Sequence, residues 1–398
     1  MTEKQMLSIL ALAGLALLAP AGADAAAPTN ALTLTVREGK LYRNGKPFRA
    51  FGLNVRDLAD EVLDKGLEAK ESFACIRWLG EKKVPFIRFW GSYFNDRRKY
   101  LENPERYWRN MDLLVDACEK ANVGLAPTLF WDSWGVCFVF DEYACDWADE
   151  QSQTRRFAER YTREFVTRYR SRPIFWFWEF SNENNLGWDL PNAMEFLPEK
   201  QRDARNIARY YVGRLAIRAF AEEVRRHDPS RPISSGCSSP RPSQFHLATT
   251  APGQGSPWAA DSFEQTATAA SWTAPAPVDL LSIHYYEPFA SYDAARVRRD
   301  LASSAEIAGR LKRALYIGEF GVLDDTKLDD KFDDALYRQR ARDLFEAVYQ
   351  AKTPLAAWWA YAVKPWGFAM GAVNPEYKRF DYITDLIREY NEKTAASH

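Results

Sequence analysis

Two glutamates, Glu183 and Glu319, stand in the same local setting far apart in the chain. Each closes a run of apolar and aromatic residues, Ile174-Phe-Trp-Phe-Trp-Glu-Phe-Ser-Asn182-Glu183 and Ala314-Leu-Tyr-Ile-Gly-Glu319. Such runs have the composition of strands buried on both faces, so each glutamate is expected where a strand leaves the core. Two carboxylates on strand ends of one sheet are the minimum equipment for cutting a glycosidic bond. One attacks the anomeric carbon while the other protonates the leaving oxygen, and a separation of about 5–5.5 Å suits retention of configuration. The donor has to keep its proton near neutral pH, and the charge of its partner is expected to raise its pKa. Glu179, inside the first run, is expected to tie strands together rather than meet a substrate.

Other strand-end residues fit the same chemistry. Arg88 is placed to hold Glu319 ionised and oriented, and Tyr286 to donate its hydroxyl to the same carboxylate. Asn182 is a candidate ligand for a sugar 2-hydroxyl, an interaction that strengthens in an oxocarbenium-like transition state. His284 is expected to bond the substrate or the surroundings of the acid; a satisfied structural histidine is the alternative. Trp90, Trp131, Trp134, Trp188 and Trp366 are candidate stacking surfaces for flanking sugars or simple packing, whereas Trp176 and Trp178, in mid-strand, read as core.

These residues need a frame that brings eight strand ends to one place. After an N-terminal hairpin region that turns at Gly39 and Asn44-Gly45, strand-like and helix-like segments alternate to the end of the chain. The strands are read at 48–54, 84–90, 123–130, from 174, 232–236, 278–284, 315–319 and 355–361. Eight strands alternating with helices predict an α/β fold, a (β/α)8 TIM barrel, in which every strand's C-terminal end opens on one face. An open doubly wound sheet would want a glycine-rich phosphate turn after its first strand, and Phe51-Gly52-Leu53-Asn54 is not one. A segment of about 40 residues between Cys237 and Pro277 is too long for a plain connection and is expected at the rim of the site.

Composition narrows the partners. Net charge is −1 with both signs interspersed, which argues against nucleic acid. Aromatic residues make up 14%, with 14 Trp, more than a core needs, which favours a surface that stacks on sugar rings. No CxxC or Cys/His cluster suggests zinc, and the chemistry needs no cofactor. The apolar run Met6 to Leu18, ahead of Ala23-Asp24-Ala25, reads as a signal peptide over residues 1–25, with one catalytic domain over 26–398. The mature protein is expected to be secreted or periplasmic, monomeric and without stable membrane insertion. Of five cysteines, Cys137 and Cys145 are a candidate local disulfide; Cys75 and Cys118 are either a bridge or two thiols.

Trp178-Glu-Phe-Ser-Asn182-Glu183, His284-Tyr-Tyr286 and Ile317-Gly-Glu319-Phe-Gly321 resemble the signatures of glycoside hydrolase family 5 on its fourth, sixth and seventh barrel strands. The resemblance spans roughly residues 33–393. It implies Glu183 as acid/base, Glu319 as nucleophile and Trp359 as the floor of the cleavage site. Arg88-Phe-Trp90 and Trp131-Asp-Ser-Trp-Gly135 look most like the β-mannanase branch. The family usually has Pro after the acid/base, where this chain has Asn184-Asn185; substrate choice is expected to be sought there. The expected activity is retaining hydrolysis of a β-1,4-linked polysaccharide or oligosaccharide, mannan or glucan type. An exo-acting glycosidase or transglycosylase, or a non-catalytic carbohydrate-binding barrel, are the rivals; the last would be expected to lack a carboxylate.

Overall fold

The computed structural model describes residues 34–251, 253–323, 333–361 and 381–396. The leader-like N-terminus and Trp366 lie outside the described residues. Two tight turns, with positive φ at Gly39, Asn44 and Gly45, fold the first strands into an antiparallel sheet of β1 (Leu34–Arg37), β2 (Lys40–Arg43) and β3 (Lys46–Pro47).

Eight parallel strands then close into a barrel: β4 (Ala50–Asn54), β5 (Phe86–Trp90), β6 (Gly124–Phe130), β7 (Trp178–Ser181), β8 (Ile233–Ser234), β9 (Leu280–Pro288), β10 (Ala314–Leu323) and β11 (Leu355–Trp358). β10 and β11 pair with β9 and β4 to complete the ring. Amphipathic helices surround it, among them Lys70–Glu81, Pro104–Ala121, Gln153–Tyr169, Tyr210–His227, Ala294–Arg310 and Asp334–Gln350.

The period-two alternation of the strands sorts side chains cleanly. Phe51, Leu53, Ile87, Phe89, Leu281, Ile283, Leu315 and Ile317 face the helices and join the larger core. Ala50, Phe86, Ala126, Leu280, Ala314, Tyr316 and Leu355 fill the lower barrel in a second cluster, together with Leu34 and Leu41 of the small sheet. That sheet therefore closes the barrel floor, where Trp176 stacks on Phe86 at 4.8 Å and lies beneath the Arg43 guanidinium. Above this apolar layer the inward positions turn polar: Asn54, Arg88, Thr128, Glu179, Ser234, Ser282 and His284, all buried.

Two local expectations are revised, and one long segment gains detail. The strand read from Ile174 is regular only from Trp178; residues 174–176 touch β6 through bonds at Leu125 alone. The long segment after β8 contains the helices Gln244–Thr249 and Phe263–Thr273. All five cysteines are free thiols. The Cys137 thiol is buried and bonds the Trp134 carbonyl within its own turn, while that of Cys145 bonds Asp146, so the two do not pair.

A methyl group on Gly124 would lie 2.2 Å from the Trp176 indole nitrogen. Gly124→Ala is therefore expected to destabilise the protein by about 1–3 kcal/mol through overpacking of the floor, measured by urea unfolding, without changing the upper layer.

Candidate active site

The polar layer is built around one cation. Arg88 is fully buried, and its donors are shared among four partners from three other strands. Nε donates to Glu179 Oε1 at 2.5 Å, Nη1 to Glu319 Oε1 at 2.8 Å and Asn54 Oδ1 at 3.2 Å, and Nη2 to Asn182 Oδ1 at 2.9 Å. Burial alone would lower the guanidinium pKa; the charges of Glu179 and Glu319 outweigh it and raise it, so Arg88 stays charged. Its lid is aromatic, with the Trp131 ring 4.6 Å away. Glu179 has no route to solvent and also accepts from Thr128 and Ser234, so it joins β5, β6, β7 and β8 inside the barrel.

Glu319 reaches this layer through a backbone irregularity. Tyr316 points into the barrel and Ile317 outward, so strict alternation would send Glu319 outward too. The register with β9 instead shifts between Ile317 and Glu319, and Gly318 is the extra residue. Its carbonyl is taken by Asn54 Nδ2 at 2.9 Å, and a Cβ there would press on the His284 ring. With the alternation reset, Glu319 is 4% exposed and faces inward; the Tyr286 hydroxyl donates to its Oε2 at 2.5 Å. Burial and the adjacent carboxylate push the Tyr286 pKa well up, which keeps that hydroxyl protonated as a donor.

Glu183 leaves β7 in a left-handed conformation, φ 48°, that few residues but glycine favour. Backbone bonds from Asn182 to Trp131 and from Glu183 to the Gly236 carbonyl hold it there. The turned side chain meets His284, whose Nδ1 lies 2.9 Å from Glu183 Oε1 and 3.4 Å from Glu319 Oε2. One ligand atom from each of Glu183, His284 and Glu319 falls within 4.8 Å of the others. That spacing would admit a metal ion, yet the same atoms are already engaged: Nδ1 with Glu183, and the two Glu319 oxygens with Arg88 and Tyr286.

The electrostatics correct one expectation. Burial does push the Glu183 pKa up, but the His284 hydrogen bond and charge, followed by the charge of Arg88, outweigh it and leave the group below its ordinary 4.5. His284, expected from the sequence to bond the substrate or the surroundings of the acid, takes the second of these places, and its effect on Glu183 opposes that of the partner carboxylate.

The remaining candidates divide. Trp90, Trp131 and Trp359 form a wall beside the carboxylates, Trp90 edge-on to Trp131 and Trp131 stacked on Trp359 at 6.2 Å. They are only 6–8% exposed, so they offer little open ring surface for stacking. Trp90 is further fixed by Tyr93 stacked on it and by a bond from its indole to Asp60. Trp134 is half-buried and donates to the Asn184 carbonyl. Trp188 is fully buried and donates to Asn184 Oδ1, so it is core, not a stacking surface. Asn184 and Asn185 are likewise buried and spend their amides on Ser133, Trp188 and the backbone of Ser238, which removes them from direct contact with a substrate.

No family model and no curated protein matches the sequence. Solved structures do. The glycoside hydrolase family 5 mannosidase from Rhizomucor miehei superposes with a TM-score of 0.65 at 13% identity, over 92% of this chain and 98% of that one. The endo-1,4-beta-mannanase from the same organism gives 0.59 at 15% identity, over 90% and 99%. An exo-beta-1,4-mannosidase from Opitutaceae bacterium strain TAV5 gives 0.58 at 15% identity, over 90% and 63%. The chain thus shares the (β/α)8 barrel fold of these glycoside hydrolase structures.

Two stability outcomes follow from the charges. Glu179→Ala leaves Arg88 short of a buried partner and is expected to cost about 3–5 kcal/mol in urea unfolding. The folded Glu183 carboxyl titrates below its unfolded value, so its contribution to stability is present above the ordinary 4.5 and lost as pH falls through the folded value. The stability gap between the parent and Glu183→Gln should therefore narrow on acidification across that window, and a gap that widens would reverse the sign.

Proposed function

We propose that the protein is a retaining β-glycosidase acting on β-1,4-linked mannan-type polysaccharide or oligosaccharide. The observation that carries this reading is the approach of Glu183 and Glu319, whose nearest oxygens lie within 4.8 Å. Inversion needs room for a water between carboxyl groups about 6.5–9.5 Å apart; the shorter spacing suits direct attack by one of them. Glu319 is the nucleophile, since Arg88 and Tyr286 aim donors at its two oxygens and hold the carboxyl in place. Glu183, more exposed and bonded to an imidazole, is the proton donor to the leaving oxygen.

Proton supply follows from the Glu183–His284 pair. In the open site the charges of His284 and Arg88 favour carboxylate on Glu183. A bound sugar strips water from the pair, and desolvation favours neutral acid beside neutral imidazole over the ion pair. Glu183 then holds the proton where the glycosidic oxygen arrives. Once Glu319 is esterified and its charge is gone, Glu183 remains as the base that activates water for the second step. Asn182 has Oδ1 held by Arg88, which leaves its Nδ2 to donate to a sugar hydroxyl. Trp359 and Trp131 supply the apolar wall against which the sugar packs.

Mannan is the first choice of polymer because the proteins with the same fold include a mannosidase and a mannanase by name. Both exo- and endo-acting enzymes occur among them, so both chain-end and internal cleavage belong to the proposal. The leader-like residues support action after export, in the periplasm or outside the cell.

Glu319→Ala and Glu183→Ala are each expected to lower kcat by about 10²–10⁴-fold or more on mannan or manno-oligosaccharide. Azide should rescue Glu319→Ala to a glycosyl azide of inverted configuration. Near-normal turnover in either variant would contradict the assignment. Reducing-sugar release across mannan, glucomannan, cellulose, xylan and mixed-linkage glucan identifies the polymer, with mannan or glucomannan expected to lead.

A further inference from the structure

The aromatic wall beside the carboxylates does not end at Trp90. Trp359, Trp131 and Trp90 are almost wholly covered, but a fourth ring is not: Tyr93 lies 4.8 Å from Trp90, with 10° between the planes, and is 38% exposed. Its place is fixed before any ligand arrives. The Tyr93 N–H donates to the buried Asp96 carboxylate at 3.2 Å. Trp90 in turn is held by Asp60 and Arg56. Its indole N–H donates to Asp60, its backbone N–H donates to the Arg56 carbonyl at 3.1 Å, and the Arg56 guanidinium lies 5.0 Å from its ring. Beside Tyr93, between the helices Leu58–Lys65 and Phe94–Glu102, lies a cavity of about 190 Å³ lined by Tyr93, Asp60, Asp64 and Lys99 among others. Lys99 Nζ is 3.7 Å from Asp64 Oδ1. An ion pair that long, with the Asp64 side chain exposed, contributes little, so both groups are available to exchange it for a ligand's hydroxyls.

We propose that Tyr93 and this cavity form a sugar subsite remote from the cleavage point, with Tyr93 as the platform for one face of a pyranose and Asp64 and Lys99 bonding the hydroxyls at its edge. The proposal rests on the β-1,4-glycosidase reading and adds where the polymer lies. A pyranose has an apolar face of C–H groups and a rim of hydroxyls that both donate and accept. Its match is an open aromatic ring with donors and acceptors beside it, and of the four rings in the wall Tyr93 alone is open. Carboxylates outnumber lysines around the cavity, which favours a neutral sugar over an anionic one. The cavity is smaller than the roughly 300–1,000 Å³ that encloses a whole small ligand, so it suits the edge of one residue of a longer chain. The rings also give the path. Centroids lie 6.2 Å apart from Trp359 to Trp131, 5.8 Å from Trp131 to Trp90 and 4.8 Å from Trp90 to Tyr93, so a polymer laid along this wall from the carboxylates reaches Tyr93 last.

The test compares kcat/KM on the soluble polymer that the parent hydrolyses best with kcat/KM on a 2,4-dinitrophenyl glycoside of a single residue of the same sugar, which fills the cleavage point alone. In Tyr93→Ala the ratio of polymer over glycoside should fall roughly three- to tenfold, the size of one lost stacking contact. Lys99→Ala should lower it in the same direction, and Tyr93→Trp, which keeps an open ring, should restore it. If Tyr93 only props Trp90, Tyr93→Ala lowers both rates together; an unchanged ratio therefore overturns the subsite. Affinity electrophoresis of Glu319→Ala, with and without Tyr93→Ala, in native gels containing mannan, glucomannan or mixed-linkage glucan reads binding without turnover and separates the two claims. If the parent hydrolyses none of the polymers, the glycosidase reading falls, while retardation that Tyr93→Ala relieves upholds the subsite. Retardation that Tyr93→Ala leaves unchanged, or no retardation by any polymer, overturns the subsite however strong the hydrolysis.

Discussion

A guanidinium with no access to water is costly unless its charge and its donors are met, and in this barrel everything near the mouth is arranged to meet those of Arg88. Glu179 takes one side and is itself locked by Thr128 and Ser234. Asn54 takes another and uses its amide nitrogen to bind the Gly318 carbonyl at the β10 irregularity. Glu319 and Asn182 complete the set, and Trp131 covers the top. Two carboxylates, Glu179 and Glu319, therefore share this one cation.

The two facing carboxylates, Glu319 and Glu183, are delivered by two different departures from regular backbone. On β10 an extra residue at Gly318 flips the parity of the strand, and the glycine is needed because the His284 ring occupies the space a side chain would fill. On the β7 side a left-handed glutamate turns back over the mouth, its N–H held by the Gly236 carbonyl and that of Asn182 before it by the Trp131 carbonyl. Regular strands in these places would point Glu319 at the helices and leave Glu183 without its imidazole. The irregularities are thus the link between a generic eight-stranded scaffold and a site with defined chemistry.

Much of this was legible in the chain. The barrel could be read because its strands are short apolar runs separated by amphipathic helices, and the strand-end residues could be gathered because a barrel exposes all those ends on one face. Glu179 could be assigned a structural place from its position inside a run, and its buried contacts are of that kind. What could not be read depended on side chains meeting from distant elements. The lowered pKa of Glu183 comes from His284, 101 positions away. Trp188 has the residue type of a stacking surface for sugars, but its surroundings bury it against Gly213 and Asn184. Asn184 and Asn185 stood out as departures from a familiar pattern, and only their partners show that they hold loops in place. The cysteine spacing suggested a bridge where the local turn directs the Cys137 thiol to a carbonyl instead.

The central proposal is that Glu319 attacks the sugar directly, a reading supported by its closeness to Glu183 and its pairing with Arg88 and Tyr286. Proton NMR of the first-formed hydrolysis product, recorded before mutarotation, tests it most directly. The account predicts that the β anomer appears first and the α anomer grows in only at the spontaneous rate; an α anomer formed first would contradict it.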